Sequence, residues 1–134
     1  MYEHSTKSNE LSTRLLEFMD EHIYPNEENY AHQLKTAANR FAPLPLMDEL
    51  KLKAKAVGLW NLFVPEEHAQ YCDHGGLSFF DYAPLAEIMG RVIWCPEVFN
   101  CNAPDTGNME VFMNYATETQ QREWLEPLLE GEIR

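Results

Sequence analysis

Leu11, Leu15, Phe18, Met19, His22 and Ile23 recur three and four residues apart, the stripe of an amphipathic helix. Pro25 is expected to close that helix, because the residue before a proline avoids helical geometry. A second helix is predicted over Glu27 to Phe41, with Tyr30, Leu34, Ala37, Ala38 and Phe41 on one side. The Ala-Pro-Leu-Pro run at 42–45 then breaks the chain. A third helix places Leu46, Leu50, Ala54 and Val57 inward and Lys51, Lys53 and Lys55 outward, and Gly58 supplies a C-terminal stop.

From Leu59 to His68 the pattern reads as extended and buried, with a turn at Pro65, and 69–76 reads as an irregular loop. Phe79 to Gly90 is apolar nearly all round, as in a central bundle helix. Pro84 is harmless there if Asp81 is the cap, and distorts the helix if Ser78 is; the start near Ser78 is preferred. Further helices are expected at about Pro96 to Ala103 and Asn108 to Ala116, either separate or as one helix interrupted near Pro104. The last begins at Thr117, where Thr117 and Gln120 match a capping box. Trp124, Leu125, Leu128 and Leu129 give its buried face, Pro127 a bend and Gly131 a stop. The expected fold class is therefore all-α, a helical bundle with irregular loops, occupying residues 1–134 as one domain.

Composition narrows the function. An apolar fraction of 45% with 24% charged residues belongs to a folded chain. Net charge is −12, from 22 acids against 10 bases, which argues against nucleic acid, whose phosphates require a clustered basic surface. No apolar run approaches the ~20 residues that span a bilayer, and the first ten residues lack a secretory pattern. Three irregularly spaced cysteines fit a reducing compartment: the cytosol, or the mitochondrial matrix or peroxisome in a eukaryote.

Little in the residues alone points to chemistry. The nearest approach to a metal cluster is His68, Cys72 and His74 with Asp73 between, and an exposed polar loop is the stronger reading, so no metal is expected. Cys95 and Cys101 read as small buried residues. The acid pairs Asp20–Glu21, Glu27–Glu28, Asp48–Glu49 and Glu66–Glu67 read as a solvated face. Phe79, Phe80, Tyr82, Phe99, Phe112, Tyr115 and Trp124 could line an acyl-binding slot or simply build the core.

A resemblance goes further. The run T-E-x-Q-x-x-x-W-L-x-P-L-L-x-G-E from Thr117 to Glu132 resembles the closing helix of the N-terminal domain of flavin-dependent acyl-CoA dehydrogenases. Leu59 to His68 is similar to that family's passage ending in a P-E-E turn. His74 to Arg91 looks like its Gly-rich turn and following helix, ending in A-E-x-x-G. Ala103 to Glu110, A-P-D-x-G-N-M-E, is similar to one branch, some of whose members are fused to a kinase-like domain.

The resemblance implies α,β-dehydrogenation of an acyl-CoA thioester, with FAD as hydride acceptor in the complete enzyme and a glutamate as base. In relatives one face of the helix aligned with Phe99 to Gly107 borders the acyl tail, so Phe99, Asn100, Ala103 and Gly107 are the candidate substrate-binding residues. No catalytic residue can be assigned, and FAD is not expected to bind this chain alone. Two departures stand out. Residues 68–74 intervene between the P-E-E turn and Gly75–Gly76, and Ala116 replaces a glycine, at about 1 kcal/mol or more if a positive φ is needed there. Two readings follow. In one, the chain is the helical domain of such a dehydrogenase, its apolar face covered by a homo-oligomer or partner subunit. In the other, it is a self-standing helical module that binds an acyl group or a protein.

Overall fold

A computed structural model describes residues 3–134. The all-α expectation holds: the chain is 67% helical, with no strand among the described residues. The closest approach to a sheet is an isolated parallel bridge between Pro65 and Leu77.

Helix α1 (Thr6–Phe18) starts where the Ser5 hydroxyl accepts the Ser8 amide at 3.1 Å, and it buries Leu11, Leu15 and Phe18. The stop expected at Pro25 does not occur. The chain passes from α1 through a π turn (Met19–Ile23) and a 3-10 turn (Tyr24–Asn26) directly into α2 (Glu27–Thr36). Tyr24 stays helical at φ −58°, ψ −41° although proline follows. The Asn26 side-chain amide donates to the His22 carbonyl at 2.8 Å, so a side chain satisfies an acceptor where the ladder is broken. Helix α2 is shorter than expected and buries no residue; Ala37 is already extended, and Phe41 is 84% exposed. Its main anchor is Tyr30, stacked on Trp94 at 4.5 Å.

Helix α3 (Pro45–Ala56) buries Leu46, Met47, Leu50 and Ala54, and Gly58 (φ +69°) ends it as expected. Val57 sits at the C-cap and is exposed, contrary to the stripe. Lys51 is not a free outward charge: it pairs with Glu97 at 2.9 Å. The passage at 59–64 is buried but not extended throughout. Asn61 takes φ +56°, and the Val64 amide donates back to the Asn61 carbonyl at 3.1 Å. A 3-10 turn (Glu66–Tyr71) replaces the start of the expected irregular loop.

Helix α4 (Phe79–Met89) is capped by Ser78, whose hydroxyl accepts the Asp81 amide at 3.1 Å, and it runs unbroken through Pro84. It is not a central helix. Leu85, Ile88 and Met89 are buried, whereas Phe79 and Phe80 are exposed. Its first turn is stitched to α1, with the Ser8 hydroxyl donating to the Asp81 carbonyl (2.7 Å) and the Ser5 amide to the Asp81 carboxylate (2.9 Å).

The helix expected over Pro96 to Ala103 shrinks to α5 (Cys95–Val98), because Asn100 turns left-handed at φ +55°. Helix α6 (Asp105–Tyr115) begins earlier than expected. The Thr117–Gln120 capping box is present at the start of α7 (Glu118–Gln120), followed by a π turn (Gln121–Leu125) and α8 (Glu126–Glu130). Gly131 ends the run at φ +70°. Leu125, Leu128 and Leu129 are buried, but Trp124 is 46% exposed, because the π turn shifts the face that a 3.6-residue period would place inward. Ala116 has φ −77°, so no left-handed cost arises at that position.

The buried side chains form two clusters. The larger joins α1, the first π turn, α3, α4 and α5, with Phe99 and Leu15 among its fully buried members. The smaller gathers Met109, Met113, Leu125, Leu128 and Leu129 around Phe63 and Val64. Among the described residues no helix is long and apolar enough to cross a membrane.

We predict that Leu125→Ala costs about 3 kcal/mol, a large-to-small loss in a closed core, and Trp124→Ala less than half of that. Urea denaturation of the two variants measures both; a Trp124 effect equal to that of Leu125 would mean that the π turn does not place Trp124 at the surface.

Candidate functional site

Asn61 interrupts an apolar run and Asn100 follows Phe99, both in the left-handed conformation that asparagine tolerates better than most side chains. Both are buried. The Asn100 Nδ2 donates to the Asn61 Oδ1 (2.8 Å) and to the Leu128 carbonyl (3.0 Å). The Asn61 Nδ2 and the Trp60 Nε1 donate to the Leu129 carbonyl at 3.0 and 2.8 Å. The Asn61 amide also donates to the Phe99 carbonyl at 3.0 Å. Side chains thus add donors to carbonyls of the last helical turn, where the Leu128 carbonyl also accepts the Gly131 amide at 3.0 Å.

That knot decides where the four candidate substrate residues stand. Phe99 and Asn100 are buried, the first in the larger cluster and the second in the knot. Ala103 and Gly107 are exposed, and no helix spans Phe99 to Gly107, so the four do not share one helix face. Nothing lies within 4 Å of a Cβ added at Gly107. Four residues along α6 comes Val111, 58% exposed, and four further Tyr115, 85% exposed. Gly107, Val111 and Tyr115 make a small-to-apolar outward stripe. Sequence reasoning missed Asn61, Trp60 and Val111; a lone asparagine inside Leu-Trp-Asn-Leu-Phe was the available signal for the first.

The aromatic set is divided rather than assembled into one slot. Phe99 is fully buried, Phe112 packs on the smaller cluster, and Phe79, Phe80, Tyr115 and Trp124 face outward. Tyr82 touches both clusters, and burial pushes its phenol far above the ordinary range. Cys95 is buried and Cys101 partly so, and burial pushes both thiols up to about 12.

His68, Cys72 and His74 do not converge. The His68 Nε2 pairs with the Asn114 Oδ1 at 3.1 Å, whereas the His74 Nδ1 lies 3.8 Å from the Cys72 Sγ. Asp105, itself buried, accepts from Asn102 at 3.2 Å and from Arg134 at 3.4 Å, and Arg134 also pairs closely with Glu97. Lys51 and Arg134 therefore share Glu97, which ties α3 and α5 to residue 134.

Comparison with known proteins follows the same outline. The family model for the acyl-CoA dehydrogenase N-terminal domain matches residues 5–132. Acyl-CoA dehydrogenase family member 10 of Mus musculus is 49% identical over 126 residues, covering 92% of this chain and 12% of the relative. Family member 11 of Gallus gallus is 46% identical over 136 residues, covering 99% of this chain and 17% of the relative. A solved Mycobacterium abscessus structure assigned to the acyl-CoA dehydrogenases superposes with a TM-score of 0.86 at 45% identity, over 99% of this chain and 34% of its own. The chain thus spans well under half the length of each.

Asn100→Ala is expected to cost about 3 kcal/mol, from the buried Asn61 Oδ1 left without its donor and a left-handed alanine. Asn100→Gly recovers about 1 kcal/mol of that, since glycine accepts the backbone but restores no donor. Equal stability of the two in chemical denaturation would contradict the left-handed strain.

Proposed function

Since the chain belongs to the acyl-CoA dehydrogenase family by its N-terminal helical domain, we propose that it forms one wall of an acyl-binding pocket in an FAD-dependent acyl-CoA dehydrogenase. The observation that carries this reading is the outward stripe of α6. Gly107 leaves open space, and Val111 and Tyr115 continue an apolar surface along the same side of the helix. A fatty tail gains from burying its methylenes against such a surface, at about 0.8 kcal/mol for each one fully removed from water. On this reading Ala103 and Gly107 touch the tail, whereas Phe99 and Asn100 hold the turn behind them.

Neither of two cavities on this domain suits FAD. The larger cavity, of about 410 Å³, is walled by Asp73, Glu126 and Glu130, whose charges oppose a pyrophosphate, and the second is only about 220 Å³. The flavin, which accepts the hydride in this family's chemistry, would need residues beyond these 134, and so would the base. What these residues contribute is a surface that orients the tail and keeps water from it. Phe79 on α4 (74% exposed), together with Val111, Tyr115 and Trp124, supports the reading in which further protein covers this domain.

The test is complementation. Mixed with an acyl-CoA dehydrogenase chain lacking its own N-terminal domain, this chain should yield a bound flavin spectrum and acyl-CoA turnover, and neither by itself. Turnover by the isolated chain, or none with any such partner, would overturn the proposal. In the assembled enzyme Gly107→Phe should lower kcat/KM for long acyl chains roughly tenfold more than for short ones, about 1.4 kcal/mol. Thermal stability of the isolated variant should not fall, because the position is open.

A further inference from the structure

The loop at 68–74 holds a group of residues that the acyl-binding reading does not use. Cys72 lines the 410 Å³ cavity together with Asn61, Gln70, Asp73, Glu126 and Glu130. The His74 Nδ1 lies 3.8 Å from its sulfur, and the His74 Nε2 lies 3.0 Å from the Asn61 carbonyl. A carbonyl can only accept, so Nε2 carries the proton and neutral Nδ1 faces the thiol with its lone pair. The Gly76 amide donates to the Cys72 Sγ at 3.2 Å. Gly75 and Gly76 both have positive φ, and a Cβ at Gly76 would meet the Glu66 Cα at 2.6 Å, so this turn admits only glycine there. The thiol thus has two acceptors in reach, the Ala69 carbonyl at 3.7 Å and the His74 Nδ1, and only the second can take its proton as a base.

We propose that Cys72 and His74 form a nucleophilic thiol pair that captures small uncharged α,β-unsaturated carbonyl compounds from the cavity. In that step the Cys72 sulfur bonds to the β-carbon while His74 takes the thiol proton. The π pair of the C=C bond moves to the α-carbon, which then receives that proton from His74. Atoms and charge balance without an oxidant or a second reactant.

The surroundings set both the selectivity and the pH range. Burial raises the Cys72 thiol above its usual range against the Gly76, Gly75 and His74 amides, and Asp73 adds to the rise. Burial lowers His74 against the Asn61 and Gly76 backbone and the Asp73 charge, and Lys7 of α1, whose Nζ donates to the Gly76 carbonyl at 2.9 Å, lowers it further. Thiol and imidazole therefore coexist uncharged at neutral pH, the state in which proton transfer needs no prior ionisation. Asp73 from the loop and Glu126 and Glu130 from α8 give the cavity a negative rim, which repels anionic electrophiles.

N-ethylmaleimide is a suitable probe, with site and rate read by peptide mass spectrometry on the folded chain. Cys72 should be labelled well before Cys95 and Cys101, at a rate nearly level between about pH 6.5 and 8, where an unassisted thiol gains about tenfold per unit. His74→Gln should slow labelling at pH 7 on the order of a hundredfold and restore the steep rise. A maleimide bearing a carboxylate should react more slowly, and added salt should narrow the gap. The proposal fails if wild-type Cys72 shows the tenfold slope, or is labelled no faster than Cys95 and Cys101. The wild-type profile decides even if the His74 variant does not fold.

Discussion

Two asparagine side chains hold the C-terminal helical turn of this domain against the middle of its sequence, and most of the arrangement depends on them. The Leu128 and Leu129 carbonyls point into protein, where an unpaired acceptor costs about 1–3 kcal/mol. The Asn61 and Trp60 side chains supply the donors for Leu129, and Asn100 joins the Gly131 amide on the Leu128 carbonyl. To reach them, both asparagines adopt left-handed backbone, which turns the chain after Trp60 and again after Phe99. Gly131 completes the constraint, since a Cβ there would meet the Trp60 indole at 2.9 Å. The two hydrophobic clusters join at this point: Leu59 and Leu62 belong to one, Phe63 and Val64 to the other.

That internal solution explains the character of the outside. Several of the few bases are committed to particular acceptors: Lys7 to the Gly76 carbonyl, Lys51 and Arg134 to Glu97, Lys53 to Glu49, and Lys55 to Glu130 while lying over the Trp60 ring. Most acids remain solvated, as their pairing in the sequence suggested. The outer faces of α4 and α6 present Phe79, Val111 and Tyr115 to water. Such apolar side chains on a helix surface are suited to contact with something apolar.

Periodicity read much of this correctly where the helices are regular. The α1 stripe, the buried side of α3, the Ser78 and Thr117 caps and the Gly58 and Gly131 stops were all legible, because each rests on contacts within a few residues. Several failures share one physical source: places where an extra residue or a left-handed turn resets the register. A π turn at Met19–Ile23 precedes Pro25, and the helix the proline should have ended runs on. Another at Gln121–Leu125 carries Trp124 to the surface. Asn100 cuts short the helix expected to carry all four pocket candidates, so Phe99 and Asn100 went inward and Ala103 and Gly107 outward. The pairing of Asn61 with Asn100 lies 39 residues apart in sequence and has no local signature.

The residues at 68–74 are not left loose. One end is wound into the Glu66–Tyr71 turn and the other is fixed by the bridge from Pro65 to Leu77, with the Leu77 amide on the Val64 carbonyl at 3.0 Å. His74 then reaches back to Asn61, the residue that also holds the last helix. The thiol–imidazole pair is therefore positioned by the same knot that organises the core. Disturbing Asn61 should move both together, whereas changing Cys72 should leave the knot intact.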